Sequence, residues 1–171
     1  MNSQKEKIIV CSYDKQLIPE KHSDSAVCWD LRIAKDIVVE PGQLVLVGLW
    51  IKTFIPHGRQ SKIYARSGLP IKMWLMLANS VWVIDADYRG EYRVQLYNFG
   101  QEIRKYPQYT RMFQLEFLPY YYITTDTHSA QYWLDYIPDI EFISDEKLYQ
   151  NFEQEFSSER WEGGFNSTGS I

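Results

Sequence analysis

Only two cysteines occur in the 171 residues, at Cys11 and Cys28, seventeen positions apart and with no second pair. That pattern excludes a zinc knuckle and a disulfide framework, and it suits a reducing compartment. Long apolar runs are also missing, so nothing approaches the roughly twenty residues that cross a bilayer as a helix. The first ten residues, MNSQKEKIIV, hold neither a long apolar segment nor the cleavage pattern of a secretion signal. An excess of cations is absent too: the formal charge is −4, without the clustered basic residues that a nucleic-acid surface needs. A small anionic ligand stays open, because one basic pocket is invisible in a net charge. The expectation is a soluble intracellular protein, cytoplasmic or (in a eukaryotic or viral setting) nuclear, with no membrane or nucleic-acid partner.

Aromatic residues are plentiful, at 16% of the chain with 13 Tyr and 6 Trp, which suits packed sheets or rings offered to a flat ligand. The length suits one domain with a real core. Short β-rich runs alternate with turn signals. KIIVCSY (7–13), AVCWDLRI (26–33), SKIYAR (61–66), MWLMLA (73–78), VWVID (81–85), EYRVQLYNF (91–99), MFQLEFL (112–118) and DIEFI (139–143) read as strands. GQLVLVGLWIKTFI (42–55) reads as one longer strand between Pro41-Gly42 and Pro56-His57-Gly58. This spacing predicts an all-β sandwich or barrel. The best helix candidate is 144–156, with Ser144 as its cap and Leu148, Phe152 and Phe156 four apart on one face. The last residues, SSERWEGGFNSTGSI, are rich in Gly, Ser and Thr and read as a mobile tail. Arg160, Phe165 and the Ser167-Thr168 pair are unusual in a mere tail.

VIDADYRGEY (83–92) has apolar alternation on both sides of DADYRG, which reads as a β-hairpin with Gly90 free to take positive φ. Asp and Gly suit turns for reasons of local hydrogen bonding and backbone freedom. A carboxylate at a strand end, three residues before an aromatic ring, also suits activation of a water beside a flat ligand. The segment alone leaves both readings open.

Together with VIDADYRG, the stretches VCWDLR (27–32), ARSGLP (65–70), RMFQLEF (111–117) and ERWEGGFNSTG (159–169) fall in the order and nearly the spacing of the five motifs of the trimeric dUTPases. The chain resembles that family from about residue 16 to residue 170. The resemblance implies a jelly-roll β-sandwich, spanning residues 1–158 with an insertion around 120–156. It also implies a flexible arm, 159–171, closing over the site of a neighbouring subunit. In such a homotrimer one chain binds the phosphates, the hairpin of a second binds the nucleoside, and the arm of a third covers both. The implied reaction is hydrolysis of dUTP to dUMP and pyrophosphate, with Mg²⁺ on the triphosphate.

Residue by residue, Asp85 matches the water-activating carboxylate and Asp87 a turn residue. Tyr88 matches the ring against the deoxyribose, which a ribose 2′-hydroxyl would strike, and Asn79 a side-chain amide at the uracil edge. Arg66, Ser67 and Gly68 match the phosphate-binding second motif, and Gln114 a fourth-motif glutamine near the phosphates. Asp30 matches a carboxylate that holds the magnesium's waters from the second shell. In the arm, Arg160 matches a γ-phosphate contact, Phe165 the ring over uracil, and Ser167 and Thr168 hydroxyl donors to the terminal phosphate.

The sequence also departs from the family. Val27, Cys28 and Trp29 stand where Ala-Gly-Tyr is usual, Trp82 stands where glycine is usual, and Arg93 stands where backbone faces uracil. Trp161-Glu162 and Asn166 depart within the arm. Trp82 and the Val27-Cys28-Trp29 departure motivate a second reading, a dUTPase-fold protein that binds nucleotide or, through the insertion, a protein partner, with weak catalysis. A dCTP deaminase relative is a third reading, against which ARSGL and IDADY speak.

Overall fold

The computed structural model describes residues 7–119 and 139–156. Twelve strands dominate these residues: β1 Ile8–Ser12, β2 Trp29–Arg32, β3 Ile37–Val39, β4 Leu44–Gly48, β5 Ile51–Phe54, β6 Arg59–Ala65, β7 Leu75–Leu77, β8 Trp82–Ile84, β9 Arg93–Asn98, β10 Arg104–Tyr106, β11 Arg111–Pro119 and β12 Ile140–Ser144. They form a four-stranded sheet β2-β11-β6-β8, two three-stranded sheets β4-β9-β7 and β12-β1-β5, and a two-stranded ribbon β10-β3. Alternate side chains of the first three sheets meet in one apolar core. Leu31, Ile63, Ile84, Phe113 and Leu115 come from one sheet, Val47, Leu75, Leu77, Val94 and Leu96 from the second, and Ile8, Val10 and Ile51 from the third. The period-2 burial of β6 and β9 is what a two-sided strand requires.

Residues 42–55, read as one strand, are two. β4 pairs with β9 and β5 pairs with β1, so the chain changes sheets at Leu49-Trp50. Trp50 makes the corner with φ of 51°, as strands do where they pass between packed sheets. Beside it, a Cβ at Gly48 would press on the Glu91 carboxylate, which accepts from Trp50 N at 3.3 Å.

The hairpin reading of VIDADYRGEY is also corrected. β8 pairs with β6, whereas β9 pairs with β4 and β7, so residues 85–92 carry the chain from one sheet to another. Gly90 is not among the glycines with positive φ. What it supplies is room: a Cβ at Gly90 would stand 2.5 Å from the Tyr88 hydroxyl oxygen and 2.7 Å from its Cζ.

A helix absent from the sequence reading, α1 (Gly68–Met73), follows β6 and displaces the start of the predicted 73–78 strand to Leu75. Pro70 is tolerated because it sits in the first turn, where its missing N–H costs nothing. Trp74 ends the helix in the left-handed region, φ 58°, with its N–H on Leu69 O.

Residues 144–156 hold two short helices, α2 (Glu146–Gln150) and α3 (Phe152–Glu155), broken at Asn151. Asp145 rather than Ser144 caps the first, accepting from Leu148 N at 2.8 Å, because Ser144 still belongs to β12. β12 lies parallel to β1 in the register Ile8 opposite Ile140. Phe152 is fully buried against Phe156, ring centroids 4.7 Å apart, and Glu153 forms an ion pair with the buried Lys52. This end of the expected insertion is therefore built into the domain. Replacing Phe152 by Ala should lower the unfolding free energy by about 3–5 kcal/mol, read as a shift of the urea midpoint.

Candidate active site

Asp30, in the middle of β2, is buried with its carboxylate among three cationic or potentially cationic side chains. Arg66 Nε lies 3.1 Å from Oδ1, and Arg111 Nη1 and His22 Nε2 lie 3.4 and 3.0 Å from Oδ2. One carboxylate balances one guanidinium, so the cluster keeps a positive excess and favours an anion. The strand order β2-β11-β6 causes this meeting. Asp30 faces Gln114 across the ladder, Gln114 faces Tyr64, and Arg66 extends from the end of β6 with its N–H on Met112 O at 3.0 Å. Gln114 Nε2 points to Ala65 O at 3.4 Å.

Arg111 and Gln114 are three apart and would face opposite sides of a regular strand. A bulge between Arg111 and Phe113 changes the register, and both then border Asp30. Arg111, His22 and Lys72 are residues of this site to which the sequence reading assigned no role. Arg111 was visible only as a letter of RMFQLEF, because the bulge is not written in the sequence.

Ser67 precedes α1 and is exposed, and its side chain makes no capping bond to the helix. With Arg66, Gly68, Lys72 and Arg111 it lines a cleft of about 310 Å³. Gly68 meets nothing closer than 3.7 Å at its would-be Cβ, so packing does not require a glycine there.

The second group of expected site residues lies elsewhere. Asp85 is exposed just beyond β8, and its C=O accepts from Tyr88 N at 3.2 Å. Asp87 is exposed in the same turn, next to buried Arg89, which donates to Ala86 O at 2.5 Å, Tyr88 O at 3.1 Å and Phe156 O at 2.8 Å. Burial lowers the Arg89 pKa, with Asp87 opposing the shift. Tyr88 is half-buried. Asn79 is exposed in a tight turn with Ser80 at φ 65°, and the adjoining Ala78 N–H reaches Gln95 O at 3.0 Å. Asn79 and Tyr88 therefore flank the two ends of the first half of β9.

Trp82, left open by the sequence, shares with Ile84 the inward face of β8 and packs against the core, while Val83 between them points outward. Arg93 is exposed and holds Glu91 at 3.6 Å. Arg160, Phe165, Ser167 and Thr168 lie outside the described residues.

The two groups do not meet in one chain. Ile84 is opposite Ser61 and Ile63 is opposite Trp82, so Asp85 lies beyond the Ser61 end of β6 whereas Arg66 leaves the other end. Five residues of extended chain separate Ser61 from Arg66, roughly 17 Å at the rise of a strand.

The dUTPase family model matches residues 14–132. The chain belongs to the dUTPase family. A deoxyuridine 5′-triphosphate nucleotidohydrolase of Desulfitobacterium hafniense is 40% identical over 123 residues, 70% of this chain and 82% of that protein. One from Escherichia phage T5 is 32% identical over 160 residues, 90% of this chain and 92% of that protein. The crystal structure of a dUTPase from Streptococcus mutans superposes with a TM-score of 0.64 at 29% identity, covering 66% of this chain and 93% of that one. The mostly β architecture is that of the dUTPase fold, and dUTP hydrolysis is the activity that membership carries.

This dUTPase has no metal cage of its own among the described residues: no group of three or more His, Cys, Asp or Glu could hold an ion. Asp30, the carboxylate expected near a metal, lies beside this cleft and is already engaged by cations. No helix among the described residues is long and apolar enough to cross a membrane.

Proposed function

We propose that the chain acts as a homotrimer that hydrolyses Mg·dUTP at sites shared between subunits. The observation that carries this reading is the separation along β6: the cationic cleft at Arg66 and the carboxylate at Asp85 stand at opposite ends of one strand, so a second copy is needed to bring them to one substrate. An outward apolar face on β4-β9-β7, where Leu44, Leu46 and Met76 are 54%, 50% and 43% exposed, suits burial against other copies.

In this reading Arg66, Ser67 and Gln114 of one subunit hold the phosphates, with Arg111 beside them, and Gly68 lets the oxygens approach the backbone. Asp30 orients both guanidiniums; a contact to the water shell of magnesium would compete with those pairs. Magnesium arrives with the substrate and offsets the charge that develops on the leaving pyrophosphate. Asn79 and Tyr88 of the neighbour hold uracil and deoxyribose. Asp85 takes a proton from a water whose oxygen bonds to the α-phosphorus. The bond from that phosphorus to the bridging oxygen breaks, and pyrophosphate leaves with the electron pair. Arg160, Phe165, Ser167 and Thr168, from the arm of a third subunit, cover the γ-phosphate and the base and exclude water.

Mixing two inactive variants tests the sharing. Asp85→Asn and Arg66→Ala proteins, each inactive alone, should regain about a quarter of the wild-type sites when co-refolded at equal amounts, because a trimer pairs an intact Arg66 with an intact Asp85 from its neighbour. A mixture with no more activity than its components, at confirmed subunit exchange, would place both groups in one chain's site and remove the proposal.

A further inference from the structure

We infer that Tyr92 is a positioning residue for sugar selection, its buried ring forming the shelf that holds Tyr88 in the orientation that excludes a ribonucleotide. The inference deepens the role proposed above for Tyr88 and rests on it. Tyr92 is fully buried. Its hydroxyl lies 2.5 Å from Thr53 Oγ1 and 2.7 Å from Ser61 Oγ, so as donor to one and acceptor from the other it leaves no buried polar atom unmatched. Thr53 belongs to β5 and Ser61 to β6, strands of two different sheets. The Tyr92 backbone is held as well: its N–H donates to Ile51 O at 2.8 Å, and its C=O accepts from Leu49 N at 2.9 Å. A ring tied at its hydroxyl and at both sides of its backbone has one rotamer.

On that ring lies Tyr88, with centroids 6.4 Å apart and planes 30° from parallel, an offset stack. Two further contacts hold Tyr88. Its hydroxyl donates to Glu91 O at 2.9 Å, and Gly90 leaves the space that the ring occupies, since a Cβ there would collide with it. A steric gate discriminates only as far as it refuses to yield. Tyr88 sits in a turn between two sheets, where a side chain ordinarily has freedom to rock; the fixed ring of Tyr92 removes that freedom. The shelf is specific to an aromatic at 92, because an aliphatic side chain offers no flat face and cannot reach Thr53 and Ser61 with a hydroxyl.

The test measures kcat/KM for dUTP and UTP in wild type, Tyr92→Phe, Tyr92→Leu, Gly90→Ala and Tyr88→Ala, with thermal melts and light scattering to establish folding. Tyr92→Phe keeps the ring and should keep the dUTP-to-UTP ratio while lowering the Tm. Tyr92→Leu and Gly90→Ala disturb the Tyr88 ring from beneath and from the side, and each should reduce the ratio by at least about tenfold, chiefly through better use of UTP. Should Tyr92→Leu fail to fold, Tyr92→Met, which fills more of the ring's volume without its flat face, takes its place, and Gly90→Ala serves as the control that displacing Tyr88 alters the ratio. A reduced ratio in Tyr88→Ala with a wild-type ratio in the folded Tyr92→Leu or Tyr92→Met protein, whatever Gly90→Ala shows, overturns this inference only. A wild-type ratio in Tyr88→Ala removes Tyr88 as the gate, and the inference with it.

Discussion

Asp85→Asn protein should bind dUTP with affinity within a few-fold of wild type and turn it over about 10²–10⁴ times more slowly. The side chain is exposed at the end of β8, so exchanging a carboxylate for its amide removes no packing and leaves the turn bond from Tyr88 N to Asp85 O intact. An amide keeps a hydrogen bond to water but accepts no proton from it. On the proposed role the loss must appear in kcat and not in KM, because that role acts on the attacking water and not on bound dUTP. Calorimetry with a non-hydrolysable dUTP analogue gives the affinity, and pyrophosphate release gives the rate. A variant within threefold of wild-type kcat would remove Asp85 from the reaction.

The position of Asp85 at a strand end was legible because alternation in VWVID stops there, and the structure places it just beyond β8. The partner of its strand was not. Alternation tells which side chains share a face but not which strand lies alongside, and β8 and β9 look like two arms of a hairpin although they join different sheets. Gly90 was read for backbone freedom when the ring of Tyr88 asked for space. The cleft residues Arg66, Ser67 and Gly68 stood together in ARSGL, but Arg111 depended on a bulge and His22 on the fold of a loop. α1 was hidden because six residues containing a proline carry no helical period. β3 and β10, three residues each, were too short to stand out from the loops around them.

Ending the chain after Ser158 should cost about 10²–10³ in kcat/KM while leaving the Tm within about a degree of wild type. The two effects separate because the anchor lies upstream of the cut. Phe152 remains in the core, Phe156 keeps its contact with Phe54 at 5.2 Å, and the Phe156 carbonyl still accepts from Arg89 Nε. Only the segment holding Arg160, Phe165, Ser167 and Thr168 is lost. Differential scanning calorimetry and dUTP kinetics on the same preparation make the comparison. Full activity in the shortened protein would refute the covering role of these residues, and a large fall in Tm would show that they stabilise the domain instead.

The parallel pairing of β12 with β1 has a consequence for how the chain is made. Ile8 is synthesised well before its partner Ile140, with most of the other strands made in between. Until then IIVCS has one open edge, with unpaired N–H and C=O groups that another nascent chain could capture. Closing this pair joins residues far apart in sequence, which puts it among the slower contacts to form. A chain whose translation stops before Ile140 therefore keeps the edge of β1 open.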